Sequence, residues 1–143
     1  ERGMAMVSDE VFAEYAFGEA DSRCATLGGN GTCLTFTLGG LSKSAGLPQM
    51  KAAWIGISGP GAEEAFARLE LIADTYLSVS TPVMLGLERL RELGAGVQGQ
   101  IRERTRRNLE VLVRSGLRPL RVEGGWYGVV PLPRWKSEEE CAL

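Results

Sequence analysis

The hydrophobic pattern of the first third of the chain predicts three short β-strands separated by turn residues. Apolar runs cover residues 4–7, 32–38 and 52–57. The first and third runs are almost continuously apolar, which is typical of strands covered on both faces, whereas the middle run alternates threonine with larger apolar residues. Together with the helical patterns that follow, these runs favour a layered α/β arrangement.

Beyond the third strand the apolar period becomes that of helices. Phe66, Leu69, Ala73 and Leu77 recur at three- and four-residue steps, which predicts an amphipathic helix. Residues 80–82 (Ser-Thr-Pro) then supply an N-cap and a proline in the first turn, so a second helix is predicted to begin there.

A glycine pair interrupts this helical pattern at residues 94–96 (Gly-Ala-Gly). We predict that the second helix ends here and that a third helix covers residues 97–115. Because two glycines in three residues favour a hinge, we also predict two domains, residues 1–93 and 94–143.

The last part of the chain contains two further local signals. Residues 120–122 and 126–130 are strand-like and flank Glu-Gly-Gly at 123–125, which predicts a hairpin that begins a second sheet. Residues 137–140 (Ser-Glu-Glu-Glu) have the spacing of a capping box and therefore predict the start of a helix.

Charge and composition exclude several classes of function. The 143 residues include 16 basic and 18 acidic side chains, for a net charge of -2, which argues against a nucleic-acid or polyanion partner. Arginines are frequent in the third predicted helix, but Glu103 and Arg107 are spaced to pair, so we predict a solvated face. The chain contains no histidine, which excludes Ser-His-Asp and Cys-His catalysis and histidine-ligated metal sites within it.

Cysteine content and hydropathy indicate the compartment. Cys24, Cys33 and Cys141 are odd in number and widely spaced, which fits neither a disulfide framework nor a zinc site. We therefore expect a cytoplasmic protein. No apolar run approaches the roughly 18 residues of a membrane span, so we expect no membrane partner.

The most informative stretch is a glycine-rich loop with one lysine, residues 39–48 (Gly-Gly-Leu-Ser-Lys-Ser-Ala-Gly-Leu-Pro). Partial desolvation at the end of an apolar strand would favour the neutral amine of Lys43, the form that attacks a carbonyl. The small residues can also offer donors to an anion such as a phosphate. This spacing is weakly specific, since lysines beside serine and glycine are common in surface loops.

A carboxylate strengthens this interpretation, because Asp9 also follows an apolar strand. If the first two strands are parallel, Asp9 and Lys43 open onto the same sheet edge, where ligands bind in α/β folds. An amine and a carboxylate at one edge suit pyridoxal phosphate, whose aldehyde condenses with lysine and whose ring nitrogen stays protonated beside a carboxylate.

Three motifs occur in order along the chain: residues 8–12 (Ser-Asp-Glu-Val-Phe), residues 41–48 (Leu-Ser-Lys-Ser-Ala-Gly-Leu-Pro) and residues 124–127 (Gly-Gly-Trp-Tyr). Together they resemble motifs of the class I/II aminotransferases of pyridoxal-phosphate fold type I. The family's counterparts are an Asp-Glu-Val-Tyr strand end, a Ser-Leu-Ser-Lys-x-x-Gly-Leu-Pro loop and a Gly-Gly-Phe-Tyr strand of its small domain.

The resemblance implies roles for five residues. Lys43 would be the Schiff-base lysine and the base that moves the substrate proton, and Asp9 would hold the proton of the ring nitrogen. Ser42 would lie near the cofactor phosphate, and Lys51 stands where the family usually has a phosphate-binding arginine. Phe12 replaces a tyrosine that hydrogen-bonds the cofactor's ring oxygen, so it can pack there but cannot donate. For Phe12 a place in the core, and for Lys51 a solvated position, are the structural alternatives.

The same resemblance implies a partial fold of type I. The second half of the large domain, with a mainly parallel sheet and helices, would be followed by the beginning of the small α+β domain. Family members are much longer, so we expect a fragment of an enzyme whose flanking parts complete the phosphate cradle and the carboxylate-binding arginine. The implied partner is a second copy, in a homodimer, and the implied substrates are an amino acid and a 2-oxo acid.

Two alternatives to transamination are left open. The same cofactor and fold also serve lyases and decarboxylases, because the bond that breaks depends on how the substrate is oriented against the ring. The chain could also be a non-catalytic fragment that binds no cofactor by itself.

Overall fold

The computed structural model describes residues 3–18, 24–132 and 136–142. Three strands form one sheet in the order β1-β2-β3: β1 (Met6–Asp9), β2 (Thr35–Gly40) and β3 (Ala53–Ser58). Five helices follow or flank them: α1 (Leu41–Ser44), α2 (Ala62–Ala73), α3 (Thr81–Leu85), α4 (Leu87–Arg114) and α5 (Glu138–Ala142). Short 3₁₀ turns occupy Ala13–Tyr15 and Pro48–Met50. Within these described ranges, no helix has the length and apolar character that crossing a membrane requires.

The sheet confirms the three predicted strands and the parallel pairing of the first two. β1 and β2 run parallel with Asp9 beside Leu38, and β2 is rich in the threonine and aromatic residues that favour strands. β3 pairs antiparallel to β2, so the described sheet is mixed, where a mainly parallel sheet is expected.

One face of this sheet is less covered than the apolar runs predict. Val7 is 65% exposed and Ile55 is 49% exposed. The expectation that the first and third strands are covered on both faces is therefore wrong for the described residues. An apolar run shows only how much surface a strand could bury. How much it does bury depends on the tertiary contacts of the folded chain.

The first long helix is shorter than its pattern. α2 ends at Ala73, and Asp74 caps it by donating its backbone N–H to Glu70. Leu77, which continues the three- and four-residue pattern, lies beyond the helix and is fully exposed. The periodic spacing therefore outlasts the helix by about one turn.

The predicted break at residues 94–96 is wrong, because α4 runs through it without interruption. Each interior glycine costs a helix about 1 kcal/mol, which the flanking helix formers and the packing of the helix offset. Gly94 is the buried residue of α4 and lies against Ala45. The division into domains at this point stays a prediction.

The predicted ion pair on the polar side of α4 is present. Arg107 pairs with Glu103 at 2.8 Å, and both side chains are exposed, as their spacing predicts.

The predicted hairpin and second sheet are also corrected. Residues 120–130 form no strand, and one backbone hydrogen bond, from Leu120 to Val129, joins the two arms. Gly124 instead forms a β-bridge with Ala16, after the first 3₁₀ turn. The glycine-rich segment therefore packs on the residues that follow β1 rather than starting a sheet of its own.

The predicted C-terminal capping box is confirmed at the start of α5. The backbone N–H of Ser137 donates to the carboxylate of Glu140 at 2.9 Å, and the backbone N–H of Glu140 donates back to the Ser137 hydroxyl at 3.2 Å. Both bonds are local, which explains why four residues suffice to predict them.

The hydrophobic core lies at the lysine loop itself. Leu41, Ala45 and Ala52 are almost completely buried. Partly buried apolar residues from the segment after α1, from the residues before and within α3, and from α4 pack against them: Leu47, Met50, Val79, Val83, Leu87 and Leu90. The loop is therefore anchored by the most buried part of the described chain, although loops usually lie at the surface.

Candidate functional site

Lys43 lies in the single turn of helix, α1, that follows β2. Two hydrogen bonds hold this turn: the buried Ser44 hydroxyl donates to the carbonyl of Gly40 at 2.8 Å, and the Gln98 side chain of α4 donates to the carbonyl of Ser44. The lysine side chain itself is half-buried. The backbone of the candidate site is therefore fixed from the sheet on one side and from α4 on the other.

A third hydrogen bond reaches the lysine directly. The hydroxyl of Tyr15 donates to the backbone carbonyl of Lys43 at 2.6 Å. Tyr15 is fully buried, and burial, with a smaller contribution from the Glu14 carboxylate, raises the pKa of its hydroxyl above the usual value of 10.0. The hydroxyl therefore remains a neutral donor throughout the physiological pH range.

The amine of Lys43 lies against aromatic rings. Its Nζ is 4.7 Å from the ring centroid of Trp126 and 5.9 Å from that of Phe12, within the range of a cation–π contact. None of the ion pairs in the described part of the chain includes Lys43. The ammonium is thus located by ring faces rather than by a carboxylate.

The rings form a connected cluster. Trp126 contacts Phe12 edge-on at 5.4 Å and Tyr15 at 5.3 Å, and Phe12 contacts Tyr127 at 5.8 Å. The indole N–H of Trp126 is buried and has no acceptor among the described residues, at a cost of about 1–3 kcal/mol. Phe12 therefore belongs to a half-buried aromatic cluster and lies close to the lysine amine as well.

Asp9 ends β1 beside Leu38, at the edge from which the chain continues through Gly40 into α1. Its side chain is exposed, and one carboxylate oxygen accepts the backbone N–H of Val11 at 3.2 Å. The parallel register thus brings the carboxylate and the lysine turn to one edge of the sheet, as the sequence predicts.

Ser42 and Lys51 lie on neighbouring segments. Ser42 is half-buried in α1, and the preceding residue, Leu41, donates its N–H to the carbonyl of Ala52 at 3.0 Å. Lys51 precedes Ala52, is exposed, and has a left-handed backbone with φ of 50°. Because this conformation costs a non-glycine residue about 1–2 kcal/mol, Lys51 is held in a strained position.

Neighbouring Glu10 fastens the chain just after Asp9. Its carboxylate accepts the Thr26 hydroxyl at 2.6 Å and the Leu27 N–H at 2.8 Å. These two bonds, the hydroxyl first, lower the pKa of Glu10 below its usual 4.5. The loop around residue 26 is thereby tied to the end of β1.

Sequence reasoning did not single out Tyr15 or assign a site role to Trp126. Tyr15 lies beyond the quoted strand-end motif, and Trp126 is 83 residues from Lys43 in the sequence. The folded chain joins them through backbone bonds, because Gly125 donates to the Tyr15 carbonyl at 2.9 Å and Phe17 donates to Glu123 at 2.9 Å. The signal that could have identified Trp126 is its place in the Gly-Gly-Trp-Tyr motif at residues 124–127, which resembles a motif of the family.

Comparison with known families gives a match over most of the chain. The family described as aminotransferase class I and II matches residues 1–107, three quarters of the chain. The chain therefore belongs to this family, whose members are generally pyridoxal-phosphate-dependent enzymes. Comparisons with curated proteins and with solved structures gave no match.

Proposed function

We propose that the chain belongs to an aminotransferase that moves an amino group between an amino acid and a 2-oxo acid, with Lys43 as the residue that bonds pyridoxal phosphate. The supporting observation is the parallel register of β1 and β2, in which Asp9 lies beside Leu38, five residues before Lys43. In this proposal residues 1–93 are the second half of a type I large domain and residues 94–143 begin the small domain.

The side chains at this edge match the groups of the cofactor. An amine can bond the aldehyde, a carboxylate can hold the proton of the ring nitrogen, and a hydroxyl with an ammonium can bind the phosphate. Lys43, Asp9, Ser42 and Lys51 supply these groups in that order. When bound, the ring would supply an electron sink for the bond that breaks at the substrate Cα.

Lys43 would have two tasks. Its amine would hold the cofactor through the aldehyde, and once released the same nitrogen would accept the proton from the substrate Cα and deliver it to the cofactor. The absence of an ion-pair partner for Lys43 among the described residues supports this, since an amine paired with a carboxylate would react more slowly.

Lys51 and Phe12 would tune the binding of the cofactor. The strained backbone of Lys51 is typical of functional positions and supports a phosphate role, although an ammonium lacks the planar fork of arginine. Phe12 would pack against the ring without donating a hydrogen bond to it, because its side chain carries no polar atom.

A spectral titration tests the cofactor part of the proposal. Adding pyridoxal phosphate to the purified protein should produce the absorbance change of a lysine-bound aldehyde, and Lys43→Ala should abolish it. Lys136→Ala is the matched control, because this lysine is exposed and has no role in the proposed site. An unchanged spectrum, or one shared by Lys43→Ala, would remove the proposal and leave the non-catalytic alternative.

Product analysis tests the reaction. An amino acid supplied with 2-oxoglutarate should yield glutamate if the enzyme transfers the amino group. Release of ammonia or carbon dioxide without glutamate would instead indicate a lyase or decarboxylase. Mass measurement in solution tests the accompanying proposal of a homodimer, and fractionation of cells tests the proposed cytoplasmic location.

A further inference from the structure

We propose that Tyr15 and Trp126 form a clamp that positions Lys43, with Tyr15 acting on its backbone and Trp126 on its amine. The inference rests on the proposed function of Lys43 and adds two positioning residues to it. The clamp is defined by two contacts: the 2.6 Å hydrogen bond from the Tyr15 hydroxyl to the Lys43 carbonyl, and the 4.7 Å separation of Nζ from the Trp126 ring centroid.

The two clamp residues also hold each other. Their rings meet edge-on at 5.3 Å, and Gly125 beside Trp126 donates its N–H to the carbonyl of Tyr15 at 2.9 Å. Neither contact involves the lysine. Tyr15 and Trp126 are therefore held together by contacts that do not depend on Lys43. Positioning residues must be fixed in this way if they are to be pre-organised for the reaction.

The chemistry of the site explains why aromatic faces suit this task. A lysine side chain has four rotatable carbon–carbon bonds and loses conformational entropy when it is ordered. Without a contact to hold it, the amine would therefore sample many positions. A carboxylate would order the ammonium but would also hold its proton. A ring face attracts the ammonium without taking a hydrogen bond from it at a fixed point, so it restricts where the amine lies through a weaker contact than an ion pair.

Competitive labelling tests the clamp. Pyridoxal, which lacks the phosphate, is added to the purified protein and the product is trapped with borohydride. The lysine nitrogen attacks the aldehyde carbon, water leaves, and borohydride donates a hydride to the resulting carbon–nitrogen double bond. Mass spectrometry of peptides then gives the ratio of labelled Lys43 to labelled Lys136, an exposed lysine that has no role in the proposed site and serves as internal reference.

We expect Tyr15→Phe and Trp126→Leu each to lower this ratio by about two- to fivefold, the range that corresponds to the loss of one hydrogen bond or one cation–π contact. Trp126→Phe keeps a ring face and should restore most of the wild-type ratio. Circular dichroism at the labelling temperature identifies variants that are folded. If Tyr15→Phe does not fold, the Trp126→Leu and Trp126→Phe pair still decides the proposal, because a purely structural role for Trp126 would leave the ratio in folded variants unchanged.

Tryptophan fluorescence provides a second readout of the amine contact. In a background that replaces Trp54 and Trp135 with phenylalanine, Trp126 is the remaining tryptophan of the chain. Its emission should change when Lys43→Met removes the ammonium from its ring and should be unaffected by Lys136→Met. Equal responses to the two substitutions would overturn the contact.

The two proposals fail in different ways. A wild-type ratio no higher than one would mean that Lys43 is not a preferred amine, and the proposed function would fail together with the clamp. Preferred labelling of Lys43 that persists unchanged in folded Tyr15→Phe and Trp126→Leu would overturn the clamp alone.

Discussion

Gly94 of α4 lies directly on Ala45 of the lysine loop, so closely that a Cβ added at Gly94 would be 2.6 Å from the Cα of Ala45. We expect Gly94→Ala to lower the free energy of unfolding by about 1–3 kcal/mol, because the helix and the loop must separate to admit the methyl group. Urea unfolding of the purified protein measures this change.

Gly96 is the matched control for Gly94, since it lies two residues further along α4 and has open space around it. Gly96→Ala should raise the free energy of unfolding by about 0.5–1 kcal/mol through helix propensity alone. Equal effects at the two positions would show that the close approach to Ala45 does not limit the choice of residue.

Gly124 also makes a close approach, against the residues that follow β1. A Cβ there would lie 2.5 Å from the Tyr15 carbonyl oxygen and 2.9 Å from the Cα of Ala16. Gly124→Ala should therefore break the β-bridge and destabilise the protein by about 1–3 kcal/mol, as measured by urea unfolding. Gly128→Ala should be tolerated, because among the described residues its added carbon would meet only Val122, at 3.9 Å. A loss as large as that of Gly124→Ala would contradict the proposed cause.

The raised pKa of Tyr15 should make the free energy of unfolding depend on pH in the alkaline range. Burial raises its pKa, so its contribution is fully present below the unfolded value of 10.0 and is lost as the pH rises towards the folded value, when unfolding allows the hydroxyl to ionise. The free energy of unfolding should fall above pH 10, and fall less steeply in Tyr15→Phe. A steeper or unchanged decline in that variant would show that the buried hydroxyl is not responsible.

Glu10 predicts the corresponding behaviour in acid. Its pKa is lowered, first by the Thr26 hydroxyl and then by the Leu27 N–H, so its contribution is present above the unfolded value of 4.5 and is lost as the pH falls through the folded value. Glu10→Gln should be less stable at neutral pH and should lose less stability on acidification. Thr26→Val should show part of the same change, and acid unfolding curves that coincide with the wild type for both variants would refute the assignment.

Replacing Lys51 with arginine tests its proposed role in binding the cofactor phosphate. Under the proposed function, Lys51→Arg should tighten the binding of pyridoxal phosphate by about two- to tenfold, because a guanidinium binds phosphate with two parallel hydrogen bonds. Lys51→Met should weaken it. Pyridoxal without the phosphate is the control ligand, and its affinity should be the same in all three proteins; a parallel change for both ligands would assign the effect to the strained backbone instead.

Local signals explain which parts of the fold could be predicted. The capping bonds between Ser137 and Glu140 and the three strands depend on residues close together in sequence, and the structure confirms them. The parallel pairing of β1 and β2 followed from the ordinary behaviour of strands in α/β folds, and it carried Asp9 and Lys43 to one edge.

Distant contacts explain what the sequence concealed. Residues 94–96 have the local signature of a helix break, yet Gly94 serves close packing within a continuous helix. Residues 120–130 have the signature of a hairpin, yet Gly124 bridges to Ala16 instead. In both cases the glycine would make an isolated segment more flexible, but in the folded chain its lack of a side chain allows two segments to pack closely.

By itself, the sequence determined the strands, the helix-forming segments and the ordered motifs that mark the family, since these depend on side-chain type and short-range spacing. Only the tertiary structure decided that the Tyr15 hydroxyl meets the backbone of Lys43 and that the Trp126 ring meets its amine. Such meetings depend on how segments far apart in the chain approach each other, and no local pattern of residues records that distance.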